Sequence, residues 1–176
     1  MMAAPLEAEQ LAPITTFASF EPIEDVRDSV ASQQPASESL LAARLHQDMR
    51  PLTFQTHIAT GMTRKLLVRL TGRPQPDFED NLASYRDIFA RIDEVEQDLS
   101  RVDQELVGAR AEHVAPTQMG PGRVLEISSM QYAHAAALPT IFFHVSIIYA
   151  IMRKEGVPLG KRDLIESFVD EHVYNL

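Results

Sequence analysis

Apolar residues recur at spacings of three and four in two long segments of the chain, and each pattern predicts a helix. The first helix runs from Asp48-Met49-Arg50-Pro51, where Asp48 can cap the free amides, to Gly72. Its apolar face holds Leu52, Ala59, Met62, Leu66 and Leu70, with Gln55 in the middle. The second helix runs from an Asp77 cap through Phe78 and Leu106 to a stop at Gly108.

The second half of the chain predicts a short non-helical insertion followed by a third long helix. Proline and glycine break up residues 108–128, which indicates a small hairpin or an ordered loop. A helix is predicted over residues 129–155 with a bend or a true start at Pro139, and a short one over residues 162–172. The pattern therefore predicts an all-α fold, an antiparallel four-helix bundle.

The acidic charge is concentrated at the N-terminus. Residues 1–39 contain four prolines and show little apolar periodicity. They carry seven acidic residues and a single basic one, Arg27. We expect a partly disordered leader there, with one possible short helix over residues 23–30, and a helical domain over residues 40–176. With a net charge of −9, the chain lacks the basic face that nucleic acid or an anionic membrane requires, so we expect neither as a partner.

The remaining composition narrows the class of protein further. The absence of cysteine excludes disulfide scaffolds, thiolate metal sites and a cysteine nucleophile. The N-terminus lacks the basic start and apolar run of a signal peptide, so we expect a cytoplasmic protein. The apolar stretch over residues 133–151 includes two His, one Pro, a Ser and a Thr, which favours a buried bundle helix over a membrane span.

Several short motifs are similar to those of an uncharacterised family of DinB-like helical-bundle proteins from bacteria and fungi. The motifs are Asp48-Met49, Pro51-Leu52, Gln55, Leu138-Pro139, Phe142-Phe143-His144, Tyr149-Ala150-Ile151 and Gly156-Val157-Pro158-Leu159-Gly160-Lys161-Arg162-Asp163. The likeness covers about residues 40–165, and the last motif is its most specific part. It implies a four-helix bundle of the DinB/YfiT type and supplies almost no chemistry.

The chain departs from this resemblance in two respects. Relatives look to begin with a long apolar helix, whereas this chain has a polar leader. One alternative is therefore that a homodimer completes the bundle. The wider superfamily often holds a divalent metal with three histidines, two of them four residues apart. Here Thr140 and Ile148 flank His144 at that spacing, so the triad is missing and we expect no cofactor.

His144 and Gln55 are the candidate site residues. His144 shares a helix face with Ile141, Ile147, Ile148 and Ile151, which directs it toward the bundle core. Gln55 on the facing helix is an available hydrogen-bond partner, because a buried amide must be satisfied. The pair is either a structural polar bridge or the polar part of a small-molecule pocket in which His144 is catalytic and Gln55 orients the ligand.

Other polar residues favour structural roles. His57 is predicted on an exposed polar face beside Thr60 and Arg64, and the acidic residues from Glu94 to Glu105 on a solvated face. Residues 156–163 lack P-loop spacing and predict a capping turn in which Asp163 pairs with a neighbour or a backbone amide. Ser128-Ser129 has no elbow glycines, so a serine hydrolase is not supported.

Three functions remain open. The first is a small-molecule-binding protein or a cofactor-free isomerase, cyclase or lyase with a pocket between the helices. The second is a non-catalytic interaction or structural bundle. The third, a metal-dependent DinB-like transferase, is weakened by the missing histidines.

Overall fold

The computed structural model describes residues 39–169, which form a helical bundle with one small hairpin. The helices are α1 (Leu52–Thr71), α2 (Tyr85–Ser100), α3 (Gln104–Arg110), α4 (Ser129–Tyr132), α5 (Leu138–Lys154) and α6 (Lys161–Val169). The strands are β1 (Val114–Gln118) and β2 (Val124–Ser128), and a π-helical segment (Ala133–Ala137) joins α4 to α5. The predicted leader up to residue 38, with its short helix, and residues 170–176 lie outside the described residues.

Helix α1 is the centre of the bundle and packs against α5, α2, α3 and the π-helical segment. The core near its N-terminus contains Leu52, Ile88 and Ile151. The core near its C-terminus contains Leu70, Leu99 and Val145. These groupings place α5 antiparallel to α1, whereas α2 runs in the same direction as α1. The extended connection over residues 72–84 makes this parallel pairing possible, because it returns the chain along the full length of α1.

The start of α1 differs from the prediction, whereas its end agrees. The helix begins at Leu52 after Pro51, which has extended backbone angles and caps nothing with its side chain. Asp48 is therefore not the cap: its carboxylate lies 2.6 Å from His46 Nδ1, in an exposed pair. Gly72 ends the helix in the left-handed conformation, and its N–H donates to the carbonyl of Val68.

Gly72 carries the first stability prediction. Its φ of +70° is unfavourable for any residue with a Cβ, and an added Cβ would lie 2.6 Å from Cζ of Arg110. We expect Gly72→Ala to lower the free energy of unfolding by about 1–2 kcal/mol in urea titrations. Gly61→Ala is the matched control, since Gly61 lies inside α1 with no heavy atom near the added Cβ, and should stabilise by about 0.5–1 kcal/mol. Equal effects of the two changes would contradict this account.

The predicted second helix is wrong in its start and in its continuity. Residues 78–84 are not helical, so Asp77 is not a cap; α2 begins after Ser84, whose hydroxyl accepts from the N–H of Asp87 in a reciprocal capping box. The helix ends at Ser100, and Asp103 then caps the separate helix α3. Gly108 lies within α3 and does not stop it.

Phe78 leaves the helical pattern because two arginines hold its ring. The guanidinium Cζ atoms of Arg64 and Arg91 lie 3.5 and 4.0 Å from the ring centroid. Arg64 is buried and also binds Glu94 and Asp98, at 2.6 and 2.7 Å. The predicted polar face of α1 and part of the predicted solvated face of α2 are thus wrong, because these charges face each other across a helix interface.

The segment after α3 forms the hairpin that the sequence left open against an ordered loop. Strands β1 and β2 pair antiparallel, with Ala115 opposite Ile127 and Gln118 opposite Val124. Its turn uses Gly120 and Gly122, both with positive φ. Pro139 lies in the first turn of α5, next to the π-helical segment. By length and composition, the helical stretch Ser129–Lys154 would also pass for a membrane span, as core helices of soluble bundles do.

Candidate functional site

The structure brings Gln55 and His144 together, as the facing-helix argument predicted. Nδ1 of His144 lies 2.7 Å from Oε1 of Gln55, and Nε2 of Gln55 donates to the carbonyl of Arg50 at 2.9 Å. Because the amide nitrogen of Gln55 is committed to Arg50, its oxygen must accept, so Nδ1 of His144 carries the proton. The basic nitrogen of this neutral imidazole is therefore Nε2. Whether either residue touches a ligand stays a prediction.

Partial burial makes His144 a pH-dependent element of stability. Desolvation lowers the pKa of His144 below its ordinary value of 6.5. The unfolded chain then takes up the proton more readily than the folded chain, so stability present above pH 6.5 is lost as the pH falls toward the folded pKa. We expect wild type to lose stability relative to His144→Gln between about pH 7 and pH 5. Parallel pH profiles of the two unfolding free energies would contradict the assignment.

A cleft of about 870 Å³ opens one to two helical turns away from this pair. Its walls come from α1, the π-helical segment, the start of α5, and strand β1 with its turn. The lining is mainly apolar and includes Met62, Val68, Met119, Pro139 and Phe143. The polar side chains in the lining are Lys65, Arg69, Thr117, Gln118, Tyr132 and Thr140. Neither Gln55 nor His144 lines it.

Arg69 joins the hairpin to α1 at the base of this cleft. Its Nη2 donates to the carbonyls of Ala115 and Ile127, which face each other across the two strands. The carbonyl of Arg69 in turn accepts a hydrogen bond from Oγ of the fully buried Ser129. Among the residues that the structure describes, none is a hydrogen-bond partner of the buried Nε of Arg69. Arg69 thus holds the hairpin through its side chain and the start of α4 through its backbone carbonyl.

Tyr132 and Lys65 supply the titratable groups of the cleft besides Arg69. The Tyr132 hydroxyl meets the sulfur of Met62 at 3.9 Å, a weak acceptor, and burial raises the pKa of this phenol. The Arg69 guanidinium lies 5.6 Å from the Tyr132 ring. Lys65 Nζ lies 3.6 Å from Asp77, in a pair of largely exposed side chains. At neutral pH, Tyr132 is therefore a neutral hydrogen-bond donor beside two cations.

Phe143 connects the polar pair with the cleft. Its ring contacts the neighbouring His144 ring edge-on, at 5.2 Å between centroids. Phe143 lines the cleft and is 55% exposed, which is unusual for a phenylalanine on a core helix. The hydrogen bond from His144 to Gln55 therefore fixes the side chain against which Phe143 rests.

The other sequence candidates lie apart from the cleft. His57, predicted as a surface residue, is partly buried, and no described residue forms a hydrogen bond with its Nδ1. Asp163 accepts from the backbone N–H of Gly160, which confirms the predicted turn. Among the side chains that the structure describes, within residues 39–165, no three histidine or acidic groups lie together in a way that could hold a metal ion.

Residues 22–165 match the family model described as a domain of unknown function, DUF1993. The chain belongs to the DUF1993 family. In three dimensions, this DUF1993 member is similar to a crystal structure of a DinB family member protein from Shewanella denitrificans. The two superpose with a TM-score of 0.73 and 24% sequence identity, over 88% of this chain and 89% of the other. No curated protein matches the sequence.

These comparisons confirm the DinB-like four-helix bundle expected for the DUF1993 chain. At this level of identity, the structural likeness concerns the fold alone. A proposal about function must therefore come from the cleft and its lining.

Proposed function

We propose that this DUF1993 member binds a small organic molecule in the cleft between α1, α5 and the hairpin. The cleft itself carries the proposal: its volume of about 870 Å³ falls within the range of about 300–1,000 Å³ typical of ligand sites. Its composition supports the same conclusion, because a mostly apolar wall with a few placed polar groups is the usual make-up of such sites.

The proposed binding role suits a binding protein and a cofactor-free isomerase, cyclase or lyase equally. Lys65 and Tyr132 are the candidate acid–base groups of the cleft under the enzymatic alternative, through an ammonium and a phenol. Ligand binding is common to both roles, so it is the step to test first.

Under this proposal, His144 and Gln55 act as positioning residues. Their hydrogen bond ties α5 to α1 next to Phe143, which in turn forms part of the cleft wall. A ligand contact by His144 would require a molecule that extends past Phe143 toward Nε2.

A large side chain placed in the cleft should block binding. Ala135 is exposed and lines the cleft, so Ala135→Trp adds an indole without disturbing the core. We expect the neutral fluorophore N-phenyl-1-naphthylamine to bind the wild type saturably at one site per chain. Ala135→Trp should weaken this binding at least about tenfold by occupying the same volume.

Ala90→Trp is the matched control, because Ala90 is an exposed alanine on α2 and does not line the cleft. Its affinity for the fluorophore should equal that of the wild type. If Ala135→Trp bound the fluorophore as tightly as Ala90→Trp, or if the wild type bound none, the cleft would not be a ligand site.

A further inference from the structure

The cleft has a charge imbalance that sets it apart from the acidic surface around it. The chain as a whole carries a net charge of −9. The cleft lining, however, contains Lys65 and Arg69 and no carboxylate. A site with this composition attracts a negatively charged group while its apolar walls exclude water.

From this imbalance we propose that the cleft takes an amphipathic monoanion, an apolar body carrying a single carboxylate-like head group. The inference rests on the proposed function of the cleft and adds the chemical class of its ligand.

Arg69 is the fixed cation of the site. Its guanidinium is held by the two hairpin carbonyls, and no carboxylate of residues 39–165 pairs with it. Arg64, one turn earlier in α1, contrasts with it, since two carboxylates neutralise that guanidinium. A half-buried arginine bound only to neutral carbonyls keeps its full positive charge available to a ligand anion.

Lys65 and Tyr132 complete the polar side of the site. Lys65 is about half exposed and only loosely paired with Asp77, so its flexible stem can bring the ammonium to a head group. Among the described residues, the Tyr132 hydroxyl has the Met62 sulfur as its one acceptor, and it can donate to an anionic oxygen instead. The site therefore suits a single negative charge. Arg69 provides a fixed cation, Lys65 provides a flexible cation whose charge Asp77 partly offsets, and Tyr132 provides a neutral donor.

The apolar lining provides for the rest of such a ligand. Two methionines, Met62 and Met119, adapt their shape to the ligand, while Pro139 and the ring of Phe143 give rigid contact surface. A small inorganic anion would leave these side chains against water, so the apolar body is an essential part of the proposal.

Two fluorophores with one skeleton test the head group directly. 8-Anilino-1-naphthalenesulfonate is N-phenyl-1-naphthylamine with an added sulfonate, so the ratio of their dissociation constants isolates the charge. We expect the sulfonate to bind about tenfold more tightly than the neutral compound, and decanoate, but not 1-decanol, to displace it.

Substitutions of the two cations should change this ratio. Lys65→Met should weaken the sulfonate about threefold, as befits a half-exposed charge, and leave the neutral fluorophore unchanged. Arg69→Met should weaken the sulfonate about tenfold. Arg86→Met is the control, since Arg86 is exposed on α2 and outside the cleft, and should leave both affinities unchanged.

Because Arg69 also holds the hairpin, thermal unfolding and far-ultraviolet circular dichroism must accompany each variant. If Arg69→Met does not fold, the ratio measured for Lys65→Met decides. An unchanged ratio in every folded cation variant, or equal displacement by decanoate and 1-decanol, would overturn the anion proposal while leaving a neutral-ligand cleft intact. Absence of binding of either fluorophore to the wild type would instead overturn the proposed function.

Discussion

Replacing Arg64 by methionine is expected to lower the free energy of unfolding by about 3–5 kcal/mol, the usual cost of breaking a buried ion pair. The Arg64 side chain is 7% exposed and binds Asp98, whose side chain is 13% exposed. Without the guanidinium, that carboxylate stays buried with no opposite charge, and Phe78 loses one of the two cations over its ring. Urea titrations followed by circular dichroism measure the loss.

Two further variants separate the ion pair from general effects of the substitution. Arg86→Met changes an exposed arginine on α2 and should cost less than about 0.5 kcal/mol. The double variant Arg64→Met with Asp98→Leu removes both charges and should recover a large part of the loss. A loss for Arg64→Met no larger than that for Arg86→Met would show that the buried pair does not stabilise the interface.

Leu66→Ala is expected to cost about 3 kcal/mol, within the range for a leucine deleted from a rigid core. Leu66 is 0% exposed and lies in the core cluster that α1 shares with α2 and α5. The close packing of α2 and α5 against α1 prevents the site from collapsing around the missing atoms, so the cavity persists in the variant. Denaturant titration gives the change in stability.

Ile165→Ala serves as the control for this substitution, because Ile165 is 39% exposed on α6. Its change in the free energy of unfolding should stay below about 1 kcal/mol. Since Leu66 does not line the cleft, fluorophore affinity should be retained in the folded Leu66→Ala protein. Similar losses in the free energy of unfolding for both variants would mean that the core rearranges to fill the cavity.

Periodicity alone predicted the main helices, but it placed both ends of α2 incorrectly. The spacing of Phe78 suits a helix, but two arginines from different helices hold its ring in an extended segment. Such a contact joins residues that are distant in sequence, so no local sequence pattern predicts it. The true start did have a local signal: Ser84 and Asp87 form a capping box at the expected spacing of three.

The polar pair could be predicted from the sequence because it depends on two regular helices facing each other. Gln55 and His144 each fall on an apolar face, and two such faces must meet in a bundle. The cleft depends instead on where a hairpin docks, and the clamp by Arg69 involves carbonyls, which every residue has. One sequence feature could have indicated this place, although it was not used: Arg69 is a basic residue between the apolar Val68 and Leu70.

The π-helical segment has a consequence for the engineering of the cleft. A π turn corresponds to one residue inserted into an α-helix, so Ala133–Ala137 sets the angular phase between Tyr132 and the whole of α5. Removing one residue from this segment would turn Tyr132 by about 100° relative to α5. Since Tyr132 lines the cleft before the segment and Phe143 lines it after the segment, the shape of the cleft depends on this one-residue offset.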